Sequence, residues 1–124
     1  MRITLCGSTR FREAYEKANR LLSKQGHVVY SVSCFGHSGD PLTEHEKQTL
    51  DRVHLAKIDN SDGIVVLNVD DYVGESTARE VEHAKATGKE VWYWQGSRRG
   101  RAMCPYAGCS DSLVNSPPCA ICYE

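Results

Sequence analysis

The stretch that most constrains the fold is residues 59–84. An unbroken apolar run, Gly63–Leu67, leads into a polar turn containing Asp70, and Gly74–Thr77 then opens a helical pattern that contains Glu80. An apolar β-rich run, a polar loop and a helix together form a βα unit. Ligands of open α/β sheets bind beyond the carboxyl ends of the strands. We therefore expect a functional site at the loop after this strand, with Glu80 facing it.

The same alternation of short apolar runs and helical spacings continues along the whole first part of the chain. Repeated βα units indicate a parallel sheet with right-handed crossovers. We predict an α/β fold with a flavodoxin-like or Rossmann-like parallel sheet, order 2-1-3-4, flanked by helices. That order places Gly7–Arg10 and Asp70–Glu80 on opposite sides of one crevice. The predicted strands are residues 2–6, 27–32, 63–68 and 90–95, and the predicted helices begin near residues 11, 43 and 76.

The helix ends carry recognisable signals. Ser8 or Thr9 is a candidate N-cap for the first helix, and Gly26 is expected to end it. Thr43 with Glu46 forms a capping box before the second helix.

The composition excludes several classes of protein. The chain has 124 residues, 40% of them hydrophobic, and a formal net charge of -1. This charge provides no global attraction to nucleic acid or to a membrane surface, so neither is an expected partner. No apolar run approaches the ~20 residues of a membrane span, and the N-terminus does not resemble a signal peptide. The expected location is cytoplasmic.

The loop Gly7-Ser8-Thr9-Arg10 has the features of an anion site. Backbone N–H groups before a helix, two hydroxyls and a guanidinium suit a phosphate or a carboxylate. The alternative is an ordinary loop with a solvated arginine.

Glu80 has two interpretations. In the pattern Thr77-x-x-Glu80, its carboxylate can return to the backbone N–H of Thr77 as a capping box. Alternatively, a carboxylate that faces the crevice can attack an anomeric carbon and form a covalent glycosyl intermediate. Glu75 is a weaker competitor for that role.

Other candidates have plain alternatives. Asp70 and Asp71 suit sugar hydroxyls, but acidic pairs are also common turn formers. His54 lies on an apolar helix face, where it is either packed or directed past the helix towards the crevice. Asp51, Lys57 and Asp59 are interpreted as solvated charges. The aromatic run Trp92-Tyr93-Trp94 is interpreted as strand packing, with the alternative that one ring covers a base.

The chain changes character after Gln95. We divide it into an α/β domain at residues 1–95, a basic linker at 96–103 and a cysteine-rich tail at 104–124. Two pairs of cysteines suit a structural tetrahedral zinc ion, and cytosolic cysteines more often bind metal than form disulfides. The alternative is an unstructured tail whose thiols oxidise. The predicted zinc ligands are Cys104, Cys109, Cys119 and Cys122.

Three motifs resemble the nucleoside 2-deoxyribosyltransferase-like superfamily, which includes the 2'-deoxynucleoside 5'-monophosphate N-glycosidases. They are residues 6–11 (CGSTRF), Asp62 before the third strand, and residues 74–84 (GEST-x-x-E-x-x-x-A). The resemblance covers residues 1–95 and is strongest to small bacterial and phage members with GSTRF and GESTxxE signatures.

The resemblance implies roles for individual residues. Glu80 would attack C1' of the sugar, while Gly7, Ser8 and Arg10 would hold the 5'-phosphate with Ser76 close by; Thr9 belongs to the same loop. Late in the second helix, at the position where many family members have an aspartate, this chain has His54. Either His54 takes over that role, Asp51 or Asp59 substitutes, or the reaction is lost.

The resulting expectation is cleavage of the N-glycosidic bond of a nucleoside 5'-monophosphate by hydrolysis or transfer, without a cofactor for catalysis. A small-molecule nucleotide and a second copy of the chain, in a homodimer, are the expected partners. The alternative is a silent nucleotide-sensing module with a zinc-binding interaction tail.

Overall fold

The computed structural model describes residues 1–35, 39 and 41–95. The predictions on the linker at 96–103 and on the cysteine tail at 104–124 lie outside the described residues. The strands are β1 (Arg2–Cys6), β2 (Val28–Tyr30), β3 (Gly63–Val66) and β4 (Glu90–Tyr93), and the helices are α1 (Arg12–Lys24), α2 (Glu44–Asp59) and α3 (Glu75–Ala86). A short 3-10 helix, Val69–Asp71, lies between β3 and α3.

The four strands form one parallel sheet in the order β2-β1-β3-β4, which confirms the predicted fold. Ile3 of β1 pairs with Val29 on one side and Gly63 on the other. Three strands are shorter than predicted. β2, for example, has three residues rather than six, because its ladder with β1 extends only from Val28 to Tyr30.

The helices cover both faces of the sheet. α1 packs on one face through Tyr15, Ala18 and Leu22, and α2 and α3 pack on the other. Every residue of β3 is buried, as expected for a central parallel strand that is covered on both faces, and this explains its continuous apolar run. The α2–α3 face consists of Cys6, Ile58, Ile64, Val66, Val81, Ala84 and Tyr93.

The predicted helix ends are partly confirmed. The Thr43 hydroxyl accepts a hydrogen bond from the Glu46 backbone N–H at 3.1 Å, and the Glu46 carboxylate accepts one from the Thr43 N–H at 2.9 Å, so the capping box is present. The prediction that Ser8 or Thr9 caps α1 is wrong. The N-cap is Phe11, whose side chain has no group that could accept a capping bond, and the Ser8 hydroxyl accepts hydrogen bonds from Arg10.

Two residues interpreted as solvated charges have structural partners. Lys57 Nζ donates to the Ser31 carbonyl at 2.6 Å, and Asp59 Oδ1 lies 2.7 Å from His83 Nε2. That interpretation is therefore wrong for Lys57, which is half-buried, whereas Asp59, 53% exposed, and Asp51 are solvated as expected. Trp92 and Tyr93 are buried, which confirms their packing role.

Candidate active site

Three side chains from three elements converge at the carboxyl end of the sheet. Cys6 is the last residue of β1, His54 lies on α2 and Glu80 lies on α3. His54 Nε2 is 3.3 Å from Glu80 Oε1 and 3.5 Å from Cys6 Sγ. Cys6 is fully buried, whereas the His54 and Glu80 side chains are 12% and 17% exposed. The carboxylate is thus held by the protein yet keeps some contact with solvent.

Helical spacing explains why Glu80 is directed inward. It lies three residues after Thr77 and four before Ala84, both of which are buried, so all three share one face of α3. The capping-box interpretation is wrong. α3 begins after Gly74 without a side-chain capping bond, and the Glu80 carboxylate lies beside His54 instead. Glu75 is exposed at the start of the helix.

His54 is directed towards the crevice cluster rather than only packed. It lies four residues before Ile58, which is buried at the sheet, and its Nε2 is near both Cys6 and Glu80. Its Nδ1 is buried and makes no hydrogen bond within the described part of the chain. Sequence reasoning had left both interpretations of His54 open.

Two groups near the Glu80 carboxylate, the Cys6 thiol and the Tyr15 hydroxyl, have raised pKa values. Burial raises the pKa of the Cys6 thiol well above its usual value, and the Glu80 charge raises it further. Burial likewise raises the pKa of the Tyr15 hydroxyl, with added contributions from Cys6 and Glu80. Sequence reasoning missed both residues as parts of the site. The sequence marks Cys6 only as part of the CGSTRF motif, and Tyr15 lies on the buried face of α1.

The loops after β1 and β3 meet across the crevice. A Cβ added at Gly7 would lie 3.1 Å from Leu67 Cβ and 3.2 Å from its carbonyl oxygen, so only glycine permits this close approach without a shift. The Arg10 guanidinium carbon lies 4.8 Å from the Tyr72 ring centroid, and Phe11 contacts the same ring edge-on. The predicted juxtaposition of the two loops is therefore observed.

The other predicted site residues lie at the rim. Asp70 and Asp71 have φ angles of 53° and 60°, so they form a left-handed turn as the plainer interpretation held. The backbone N–H of Asp70 donates to Gln95 Oε1 at 3.2 Å. Ser76 is exposed and accepts from Arg79 at 3.3 Å, and Thr9 is half-buried in the β1–α1 loop.

Tyr15 of α1 anchors the β1–α1 loop, since its hydroxyl donates a hydrogen bond to the Gly7 carbonyl at 2.7 Å. Tyr15→Phe is expected to lower the free energy of unfolding by about 1–3 kcal/mol, because it leaves that carbonyl without its partner. Urea denaturation measures the change. Tyr30→Phe, at a half-buried edge-strand position, is the matched control and should change stability by less than about 0.5 kcal/mol. Equal effects of the two substitutions would refute the anchoring role.

None of the helices in the described part of the chain combines the length and apolar character that a membrane span requires. The observed architecture is a parallel α/β sheet with its polar cluster where the strand order reverses, the position at which ligands bind in many proteins with open α/β sheets.

Comparison with known proteins supports a more specific assignment of the fold. The chain is similar to the solved structure of a 2-deoxyribosyltransferase from the psychrotolerant bacterium Bacillus psychrosaccharolyticus, a biocatalyst for nucleoside synthesis. The TM-score is 0.58 at 22% sequence identity, over 75% of this chain and 71% of that one. The chain thus has a 2-deoxyribosyltransferase-like fold. No protein-family model and no curated protein sequence matches it.

Proposed function

We propose that this protein cleaves the N-glycosidic bond of a nucleoside 5'-monophosphate, by hydrolysis or glycosyl transfer, with Glu80 as the nucleophile. The observation that carries the proposal is the position of the Glu80 carboxylate, held 3.3 Å from His54 Nε2 at the carboxyl end of the sheet. The transferase-like fold, with a nucleoside-processing enzyme as a structural neighbour, supports the choice of substrate class.

In the first step, a Glu80 oxygen attacks C1' of the sugar while the bond from C1' to the base nitrogen breaks. The base leaves with the bonding electron pair and takes up a proton, and the sugar stays attached to Glu80 as an ester. Water, or a second base, then attacks C1' and releases the carboxylate. The reaction needs neither a metal ion nor an organic cofactor.

We assign His54 to the orientation of Glu80. A proton on Nε2 would be donated to the carboxylate oxygen and would fix one rotamer of the side chain. The same nitrogen can supply the proton to the leaving base once the carboxylate has reacted. His54 would then take the role of the aspartate that many members of the nucleoside 2-deoxyribosyltransferase-like superfamily have at this position.

The 5'-phosphate is assigned to the Gly7–Arg10 loop. Its Arg10 side chain is exposed and stacks on Tyr72 at the rim of the crevice. A guanidinium held in this way can form a charge-assisted pair with a phosphate. Thr9 and Ser76 offer hydroxyls on either side of the crevice, and the exposed Asp70 carboxylate is available to sugar hydroxyls.

Arg10→Gln is expected to raise the KM for a nucleoside 5'-monophosphate by about 10- to 100-fold, because a charged hydrogen bond worth about 1.5–3 kcal/mol is lost. The KM for the matching nucleoside, which lacks the phosphate, should change little. Steady-state kinetics with both substrates gives the comparison. Arg12→Gln is the matched control, since Arg12 also stacks on an aromatic ring, Phe35, but belongs to α1. A similar KM change for nucleoside and nucleotide would refute phosphate binding by Arg10.

The proposed activity is tested with a panel of ribo- and deoxyribonucleoside 5'-monophosphates and the corresponding nucleosides, with free base measured by chromatography. We expect base release from at least one monophosphate, faster than from its nucleoside. Nucleotide binding without base release over many hours would contradict the enzyme and indicate the silent sensing module. The expected homodimer stays a prediction, which the native mass in solution tests.

A further inference from the structure

We propose that Cys6, His54 and Glu80 form a binding site for a divalent transition metal ion, with zinc as the best-suited occupant. The metal site itself does not depend on the proposed function, but its expected effect, inhibition of the reaction by the bound ion, rests on it. The three residues offer one sulfur, one nitrogen and one oxygen donor from β1, α2 and α3, and all three donor atoms lie within 4.8 Å of one another.

Two of the three distances between the donor atoms match a tetrahedral ion. Zinc lies about 2.3 Å from a thiolate sulfur and about 2.0–2.2 Å from imidazole nitrogen and carboxylate oxygen, so adjacent tetrahedral ligands are separated by about 3.3–3.6 Å. His54 Nε2 lies 3.5 Å from Cys6 Sγ and 3.3 Å from Glu80 Oε1. The third pair, Cys6 Sγ and a Glu80 carboxylate oxygen, lies within 4.8 Å, so that the donors need to approach each other by at most about 1.5 Å to surround an ion.

The donor set favours a particular group of ions. Thiolate and imidazole select zinc and similar transition metals, whereas magnesium and calcium prefer oxygen ligands alone. Binding forms a metal–sulfur bond and breaks the S–H bond of Cys6, and the proton is released to solvent. The burial that keeps the free thiol protonated is then opposed by the charge of the ion.

The site is partly open. Cys6 is fully buried, but the side chains of His54 and Glu80 are 12% and 17% exposed to solvent. Three protein ligands and one position open to the crevice are typical of accessible zinc sites rather than closed structural ones. The ion can therefore enter and leave, so that binding is reversible.

Metal binding would inhibit the proposed reaction. A carboxylate that coordinates the ion loses electron density to it and is held in position by it, so both of its oxygens become weaker nucleophiles towards C1'. His54 Nε2 is at the same time no longer available to Glu80. Zinc would thus act as an inhibitor of this enzyme, with the nucleophile as one of its ligands.

Cobalt(II) spectroscopy tests the site without any substrate. The full chain is prepared metal-free with its four tail cysteines (Cys104, Cys109, Cys119 and Cys122) replaced by serine, so that only Cys6 and Cys34 carry thiols. Titration with Co²⁺ should produce a thiolate-to-cobalt charge-transfer band at one ion per chain, and Zn²⁺ should displace it. The band should be lost in Cys6→Ser and persist in the matched control Cys34→Ser.

Two outcomes would overturn the site: no thiolate band, or a band that survives in Cys6→Ser. Since Cys6 is buried, circular dichroism must show that its variant is folded. His54→Gln, at a less buried position, gives a second test and should weaken Co²⁺ binding by more than about 10-fold, since even the loss of a group that only orients a ligand typically costs about 10- to 100-fold.

Base release by the metal-free protein separates this proposal from the proposed function. If base is released, Zn²⁺ should inhibit it at the concentration at which it displaces Co²⁺; inhibition only far above that concentration would contradict the inhibitory role. If no base is released, the proposed function fails while the cobalt band still decides the metal site.

Discussion

Glu80→Gln is expected to lower the rate of base release by about 10³- to 10⁴-fold, equivalent to about 4–5.5 kcal/mol of lost transition-state stabilisation. The amide has nearly the shape of the carboxylate and can still hydrogen-bond to His54, but it is a poor nucleophile towards C1'. Nucleotide affinity should therefore remain within a few-fold of wild type. Chromatography of free base and equilibrium binding of the same nucleotide measure the two quantities separately.

Glu75→Gln is the matched control for this substitution. Glu75 lies on the same helix but is exposed at its N-terminal end, so base release should change by less than about three-fold, in keeping with the small effects of surface substitutions. A Glu80→Gln variant that cleaves as fast as wild type would remove Glu80 from the mechanism. A large loss in Glu75→Gln instead would transfer the nucleophile role to that residue.

Ile64→Ala is expected to lower the free energy of unfolding by about 2–5 kcal/mol, the range for truncation of a fully buried aliphatic side chain. Ile64 has no exposed surface and lies in the centre of β3, where it packs between the sheet and the helices α2 and α3. Loss of its side chain leaves a cavity. This cavity cannot close readily, because β3 is hydrogen-bonded to β1 on one side and to β4 on the other. Urea denaturation followed by circular dichroism measures the effect.

Val28→Ala provides the comparison for this truncation. Val28 also lies on a strand, but it is 53% exposed on the edge strand β2, so its truncation should cost less than about 1 kcal/mol. Comparable losses in the two variants would contradict the assignment of β3 as the centre of the core.

The fold was predictable because local patterns and the tertiary structure agree. The apolar run Gly63–Leu67 has no polar interruption because β3 is covered on both faces, and the helical spacing from residue 11 onward matches the face of α1 that is buried. The length of β2 was not predictable, since strand ends are set by which partner residues pair. Nothing local marks Tyr30 as the last paired residue.

The candidate site was predictable only in part, because its contacts join residues distant in sequence. The pattern Thr77-x-x-Glu80 matches a capping box, yet the Glu80 carboxylate lies beside His54, a tertiary partner that the pattern does not contain. Periodicity placed His54 on an apolar face without deciding its direction. Cys6 and His54 are 48 positions apart, and only the sheet and helix packing brings them together.

The most direct test of Glu80 as nucleophile is mass spectrometry of the glycosyl-enzyme. A nucleoside 5'-monophosphate with a fluorine on the sugar, which slows the second step, is mixed with the protein and the reaction is quenched with acid. We expect the mass of the wild-type chain to rise by one phosphorylated sugar residue, attached to the peptide that contains Glu80, and no adduct in Glu80→Gln. Stoichiometric base release with no adduct on that peptide, or with the sugar on another residue, would contradict it.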